Sequence, residues 1–166
     1  MVRVKCEGHS KAKAGARVKS YQSTQSIVVK APAEKIYTAL TDWAARAQWR
    51  PGIEMSWEGG PQARVGQLVT FKVKEGPFAY FFSYRITGLE PPYRAYMEYT
   101  GKPLKGRTAL EIVPSEEGTQ VSFHWMKVEP GTFLARIYFL LGWGLQAHRE
   151  RTQETLRMLK EHLEKN

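Results

Sequence analysis

His148 and Thr152 stand four residues apart in a segment whose apolar residues otherwise recur with helical period. At 100° per residue they share one stripe with Leu134, Ile137, Tyr138, Leu141, Leu145, Leu156, Leu159 and Leu163. The stripe is apolar at both ends and polar in the middle. An imidazole and a hydroxyl turned toward a core both need partners, because an unpaired buried polar group costs about 1–3 kcal/mol. A sheet tyrosine, a water or a bound molecule would supply one. An imidazole near its ordinary pKa is also a general acid or base. His148 is therefore the one catalytic candidate, beside two other roles: a satisfied structural histidine and a ligand contact.

The remaining chemistry-bearing residues form no set. His9, His124 and His162 pair with nothing at metal-ligand spacing, and Cys6 is the only cysteine, so no metal site is expected. Asp42 is the only aspartate and sits in a Leu-Thr-Asp turn, where a helix-end hydrogen bond is its expected role. No glycine-rich loop links a strand to a helix, and no serine sits in a nucleophile elbow. Hydrolase, kinase and nucleotide-binding chemistry are disfavoured, and no cofactor is expected.

The elements that must position His148 follow from periodicity. A first strand is predicted over 18–30, ending in the β-branched run Ser26-Ile27-Val28-Val29. Ala31-Pro32 starts a helix to about residue 41, and a second short helix runs over 43–49 until Arg50-Pro51-Gly52 stops it. The period then changes to two. Strands are predicted at 53–58, 66–75, 78–89, 94–101, 106–114 and 119–129, separated by Gly- and Pro-rich turns. One long helix follows Glu129-Pro130-Gly131. The order predicts an α+β fold, an antiparallel sheet of about seven strands with helices on one side.

Alternation places Phe82, Tyr84, Met97, Tyr99, Leu110, Phe123 and Trp125 on one sheet face, with Phe71 and Tyr80. Together with Trp49 and Trp57, and with Leu141, Leu145, His148 and Thr152 from the last helix, these are the candidate ligand-binding residues. Such a wall suits a pocket for an apolar molecule, with tyrosines as its polar contacts. The same residues suit an aromatic core equally well.

Composition bounds the partners. The 166 residues suit one domain, and 42% are hydrophobic. Residues 1–20 hold Arg3, Lys5, Lys11, Lys13, Arg17 and Lys19 against Glu7 alone, which puts +5 of the net +9 in a flexible extension over 1–19. No helix-turn-helix, zinc-finger or RNP-type motif accompanies it, so nucleic acid is not an expected partner. No apolar run reaches the ~18–20 residues that span a bilayer. The single cysteine fits a cytoplasmic compartment.

The string Ile27-Val28-Val29-Lys30-Ala31-Pro32-Ala33-Glu34, running through Leu40-Thr41-Asp42-Trp43 to Trp49-Arg50-Pro51-Gly52-Ile53, resembles the opening of the START-like (SRPBCC) superfamily. Its polyketide cyclase/dehydrase-like members are the most similar. Glu117-Gly118-Thr119-Gln120-Val121-Ser122 and the closing Leu156 to Glu164 are similar too, and the likeness covers residues 20–165. It implies a helix-grip fold, with a curved sheet wrapped around a long C-terminal helix and an apolar cavity between them. Its members bind lipids, polyketides, sterols or quinones, and some are enzymes. Three functions are then open: a binder or carrier of a hydrophobic small molecule, a cyclase/dehydratase with His148 as acid/base aided by Tyr84 or Tyr99, and, apart from the resemblance, a membrane-surface module using the basic extension and a Phe139/Trp143 patch.

A single helix over 132–164 would be about 50 Å long, too long for this domain, so a bend is expected at Gly142 and Gly144. On the stripe reading Arg136, Phe139, Leu140 and Trp143 face outward. The Phe139/Trp143 pair then marks a membrane surface or a homodimer contact.

Overall fold

The computed structural model describes residues 19–75 and 78–165, with backbone alone for residues 75 and 78–80. Of the expected extension over 1–19, only Lys19 lies among the described residues. Strand β1 (Tyr21–Val29) leads into Pro32, whose extended backbone forms the N-cap of α1 (Ala33–Thr41). Asp42 ends α1 and caps α2 (Trp43–Trp49): its Oδ1 accepts from the Ala45 N–H at 2.9 Å and its Oδ2 from Gln62 Nε2 at 2.7 Å. This is the helix-end role expected of it.

Strands β2 (Ile53–Trp57), β3 (Leu68–Glu75), β4 (Phe78–Glu90), β5 (Arg94–Tyr99), β6 (Leu104–Ser115) and β7 (Gly118–Pro130) complete a seven-stranded antiparallel sheet. Its order is β1-β7-β6-β5-β4-β3-β2, curled into a half-barrel. The meander expected from the turn spacing is present throughout. Because β1 and β2 lie on opposite edges, the α1–α2 connection spans the width of the sheet. Breaks of register after Tyr21, Ile86 and Arg107 add local bend.

The core lies between the concave face and the helices. Ile36, Leu40 and Trp43 meet Val69, Ile86, Ile112 and Val121 from the sheet and Leu156 and Leu159 from the last helix. Two polar residues lock this arrangement. Buried Gln67 uses its whole amide: Oε1 accepts from Trp43 Nε1 and the Arg64 N–H, while Nε2 donates to the Glu58 and Gly60 carbonyls. Arg50, 5% exposed, donates to Thr155 Oγ1 at 3.0 Å, Glu154 Oε2 at 2.9 Å and the Pro51 carbonyl at 3.2 Å. In the sequence Arg50 read only as part of a helix stop.

The C-terminal helix is broken, as its glycines predict. Helix α3 (Phe133–Leu140) ends at Leu141, and α4 (Trp143–Glu164) begins after Gly142, whose φ is 82°. An L-residue in that left-handed region costs about 1–2 kcal/mol. Gly144 serves differently: a Cβ there would lie 2.5 Å from the Phe139 ring. One glycine turns the chain, and the other lets α3 fold back on α4.

The break corrects the expected facing of α3. A single helical phase through residues 132–164 puts Phe139 outside and Leu134, Ile137, Tyr138 and Leu141 inside. The structure has the reverse. Phe139 is buried among Trp125, Tyr21 and Leu145, while Leu134 and Leu141 are 77% and 55% exposed. A left-handed residue resets the phase, so a wheel valid for α4 does not extend across Gly142. Trp143 is exposed, as expected.

The Gly144 contact makes a double-mutant test. Gly144→Ala should cost about 1–3 kcal/mol in urea unfolding, because the Phe139 ring is held by its neighbours. In a Phe139→Leu background the same change should cost under half as much. Equal costs in both backgrounds would show that the contact does not set the requirement for glycine.

Candidate functional site

The inward sheet face carries a connected row of rings. Phe71 stacks on Phe82 at 4.9 Å between centroids and lies 5.0 Å from Tyr84. Tyr84 meets Tyr99 edge-on at 6.4 Å, and Tyr99 meets Trp125 at 6.2 Å. Strand register produces the row: Phe71 pairs with Phe82 across β3–β4, and Tyr84 with Tyr99 across β4–β5. Met97, Leu110 and Phe123 continue the same face.

The row ends on α4. The His148 imidazole lies flat on the Trp125 indole, with centroids 3.4 Å apart and planes at 14°. Its Nδ1 is 3.4 Å from Thr152 Oγ1, one turn along. Burial, with Arg149 adding repulsion, pushes the His148 pKa from 6.5 down to about 3. The ring is therefore neutral near pH 7.

The two tyrosines are donors in waiting. Tyr99 Oη accepts from Trp125 Nε1 at 3.0 Å, which leaves its own proton to give. Burial raises the pKa of both Tyr84 and Tyr99, so both stay protonated. At Tyr84 the nearby Arg46 cation works against that rise without cancelling it.

Arg46 carries the charge of the site and was not singled out in the sequence. It comes from α2, and its guanidinium carbon lies 5.7 Å from the centre of the Phe71 ring, over its face. Its Nη1 donates to the Leu40 carbonyl at 3.3 Å, and its buried Nε has no hydrogen-bond partner. Among the described residues no carboxylate stands within ion-pair distance of it. The sequence signal was faint: one arginine three residues after Trp43 and three before Trp49, the two buried residues of α2.

Between these groups the interior is nearly filled. Among the described residues, a cavity of ≈ 10 Å³ is lined by Leu40, Trp43, Arg46, Tyr84, Met97, Leu110 and Phe123, among others. That is about the room of one water. A larger concavity of ≈ 730 Å³ opens on the opposite face of the sheet, around Thr24, Arg94, Glu111 and His124. There the polar groups pair across strands, Thr24 with His124 at 3.0 Å and Arg94 with Glu111 at 3.0 Å, as on a solvated sheet face.

The expected site residues divide accordingly. Phe71, Phe82, Tyr84, Met97, Tyr99, Leu110, Phe123, Trp125, His148 and Thr152 come together along the row and cavity. Leu145 packs beside Trp125. Trp57 lies at the edge of the main core. Trp49 is remote, donating to the Ala39 carbonyl and stacked on His162 at 6.0 Å. Leu141 is exposed beyond the helix break, and Tyr80 lies outside the residues whose side chains are described. Among the described residues, no three His, Cys, Asp or Glu side chains are grouped to hold a metal.

A family model described as polyketide cyclase / dehydrase and lipid transport matches residues 21–164. No curated protein matches the chain by sequence. Solved structures do. The Aha1 dimer from Colwellia psychrerythraea is 20% identical with a TM-score of 0.62, over 86% of this chain and 96% of that one. KanY is 15% identical with a TM-score of 0.68, over 88% and 99%. The di-domain ARO/CYC BexL from the BE-7585A biosynthetic pathway is 17% identical with a TM-score of 0.66, over 87% of this chain and 50% of that one. At these identities the likeness shows the fold alone.

The buried neutral imidazole has a pH signature. Unfolded, His148 takes a proton near pH 6.5, and folded only near pH 3. Between those values the unfolded state holds more protons, so acid favours unfolding. His148→Phe keeps an aromatic ring and removes the titration. Its stability relative to wild type should rise by on the order of 2 kcal/mol between pH 7.5 and pH 4.5. A constant difference across that range would refute the assignment.

Proposed function

Because the chain belongs to the polyketide cyclase / dehydrase and lipid transport family, within the START-like superfamily, we propose that it binds an apolar small molecule bearing an acceptor oxygen. The molecule lies between sheet and α4, with its carbonyl or carboxylate at Arg46. One observation carries this reading: a half-buried guanidinium without a carboxylate partner inside an aromatic wall. Burying a cation is costly unless it is paired, so such a group is poised for an acceptor from outside the chain. The phenols of Tyr84 and Tyr99 add protons on the same side. The site is rich in donors and poor in acceptors, which matches carboxylates, ketones and quinones and mismatches amines.

Entry requires side chains to move, since the cavity of ≈ 10 Å³ is far below the ~300 Å³ of an ordinary ligand pocket. Phe82 and Tyr99 are half-buried and rim the row, so they are the parts that give way.

The cyclase/dehydratase reading is weaker. It needs a proton acceptor with a pKa near the working pH. An imidazole held near pKa 3 and stacked on Trp125 is poorly matched to that role. In the binding reading His148 and Thr152 are polar contacts on the helix wall.

A long-chain fatty acid and the matched primary amine, titrated by calorimetry, test the reading. The acid should bind and the amine should not. Arg46→Met should weaken the acid by about 10- to 100-fold, as loss of a charge-assisted hydrogen bond does. It should leave folding stability nearly unchanged, because a half-buried cation without a carboxylate partner is exchanged for an apolar side chain of similar length. Tyr99→Phe should cost about fivefold. Equal binding of acid and amine, or an Arg46→Met protein that binds like wild type, would overturn it.

A further inference from the structure

The outer surface of α3 has no role in the ligand reading and needs its own account. Phe133, Leu134, Leu140 and Trp143 are 75%, 77%, 70% and 58% exposed, with Leu141 beside them. They lie on one short helix and its hinge. Apolar side chains exposed this densely on a single element mark an interaction surface.

Charge identifies the partner. From Gly131 to Arg149 the chain has two arginines, one histidine and no acid. The β5–β6 connection packs against the start of α3, with the Gly131 N–H donating to the Pro103 carbonyl at 3.0 Å. That connection and the start of β6 bring exposed Lys102, Lys105 and Arg107. The acid opposite Lys105, Glu129, is paired with Lys127 at 3.8 Å, so the border stays net basic. The apolar patch is thus bordered by cations, with aromatic Trp143 and Phe133 at its ends. This is the composition of a surface that enters the headgroup region of an anionic bilayer, where apolar side chains insert and lysines and arginines meet lipid phosphates. A second copy of this chain would bring an equally basic border against the first, which opposes self-association.

We propose that α3, with Trp143, Lys102 and Lys105, is a docking surface for anionic membranes. Only Phe139 of α3 is buried, so the helix meets lipid with its outer face while Phe139 keeps its place on Trp125. No helix among the described residues is long and apolar enough to cross a membrane, so this is contact in the plane of the interface. The proposal stands on the outer face of α3 and does not depend on the ligand reading.

Flotation of the full chain with phosphatidylglycerol/phosphatidylcholine vesicles, against phosphatidylcholine alone, provides the test. The protein should float with the anionic vesicles and lose at least half of that binding on raising salt from 50 to 500 mM. The double variant Leu134→Ser/Leu140→Ser, and Trp143→Ser separately, should bind roughly tenfold less. Lys102→Glu/Lys105→Glu should lose the preference for anionic lipid. Every side chain changed in the apolar and basic sets is exposed, so the fold and fatty-acid binding should be retained, which separates this proposal from the ligand reading. Three outcomes would overturn it: patch variants that float like wild type, binding lost only when residues 1–18 are removed, and patch variants that instead convert a dimer to a monomer in sedimentation.

Discussion

Arg50 holds the helical cover on the sheet. Its guanidinium is buried where α2 ends, and it reaches Glu154 and Thr155 in the middle of α4. Burial lowers its pKa and the Glu154 carboxylate, 2.9 Å away, opposes that shift; without this partner the buried cation would be uncompensated. From the other side, α4 is tied to the edge strand β1 through Lys160 to the Val28 carbonyl and Gln153 to Gln25. The helix is therefore fixed along both borders of the concave face, and its side chains at 148 and 152 have a defined place opposite Tyr99 and Trp125.

Arg46 lies one helical turn before Arg50, and the contrast between them organises the interior. Both leave α2 toward the core. Arg50 finds a carboxylate, a hydroxyl and a carbonyl and becomes a structural clamp. Arg46 finds one carbonyl and the face of Phe71, and keeps an unpaired Nε. For stability alone the second arrangement gains little beyond its contact with Phe71 and one carbonyl, since an apolar side chain of similar length would fill the same space. The difference between the two arginines is the strongest sign that part of this core is arranged for something other than the chain itself.

Much of this was legible in the sequence, and the failures share one cause. Period-two alternation placed Phe71, Tyr84, Tyr99 and Trp125 on a common face because strand geometry is local and strict. The glycines signalled the helix break for an equally local reason. Phe139 was misplaced because the helical phase was carried across Gly142, and one residue at φ 82° is enough to reset it. Arg50 and Arg46 were missed because their roles rest on partners 104 residues away in one case and on the lack of a carboxylate in the other. Periodicity encodes which way a side chain points and says nothing of what it meets.

The closed interior also has a physical reason. A preformed apolar void of about 300 Å³ would cost on the order of 7 kcal/mol at ~24 cal/mol per Å³. That is comparable with the whole stability of a domain this size. Such a core is better off with its aromatic side chains collapsed toward one another, and among the described residues the cavity beside Tyr84 and Arg46 measures ≈ 10 Å³. Aromatic rings are suited to both states, because Phe82 and Tyr99 pack well when closed and swing about few torsions when displaced. A bound molecule would then exchange ring–ring contacts for ring–ligand contacts of similar worth. The net selectivity falls to the groups that cannot be satisfied by collapse, and in this core the chief of them is Arg46.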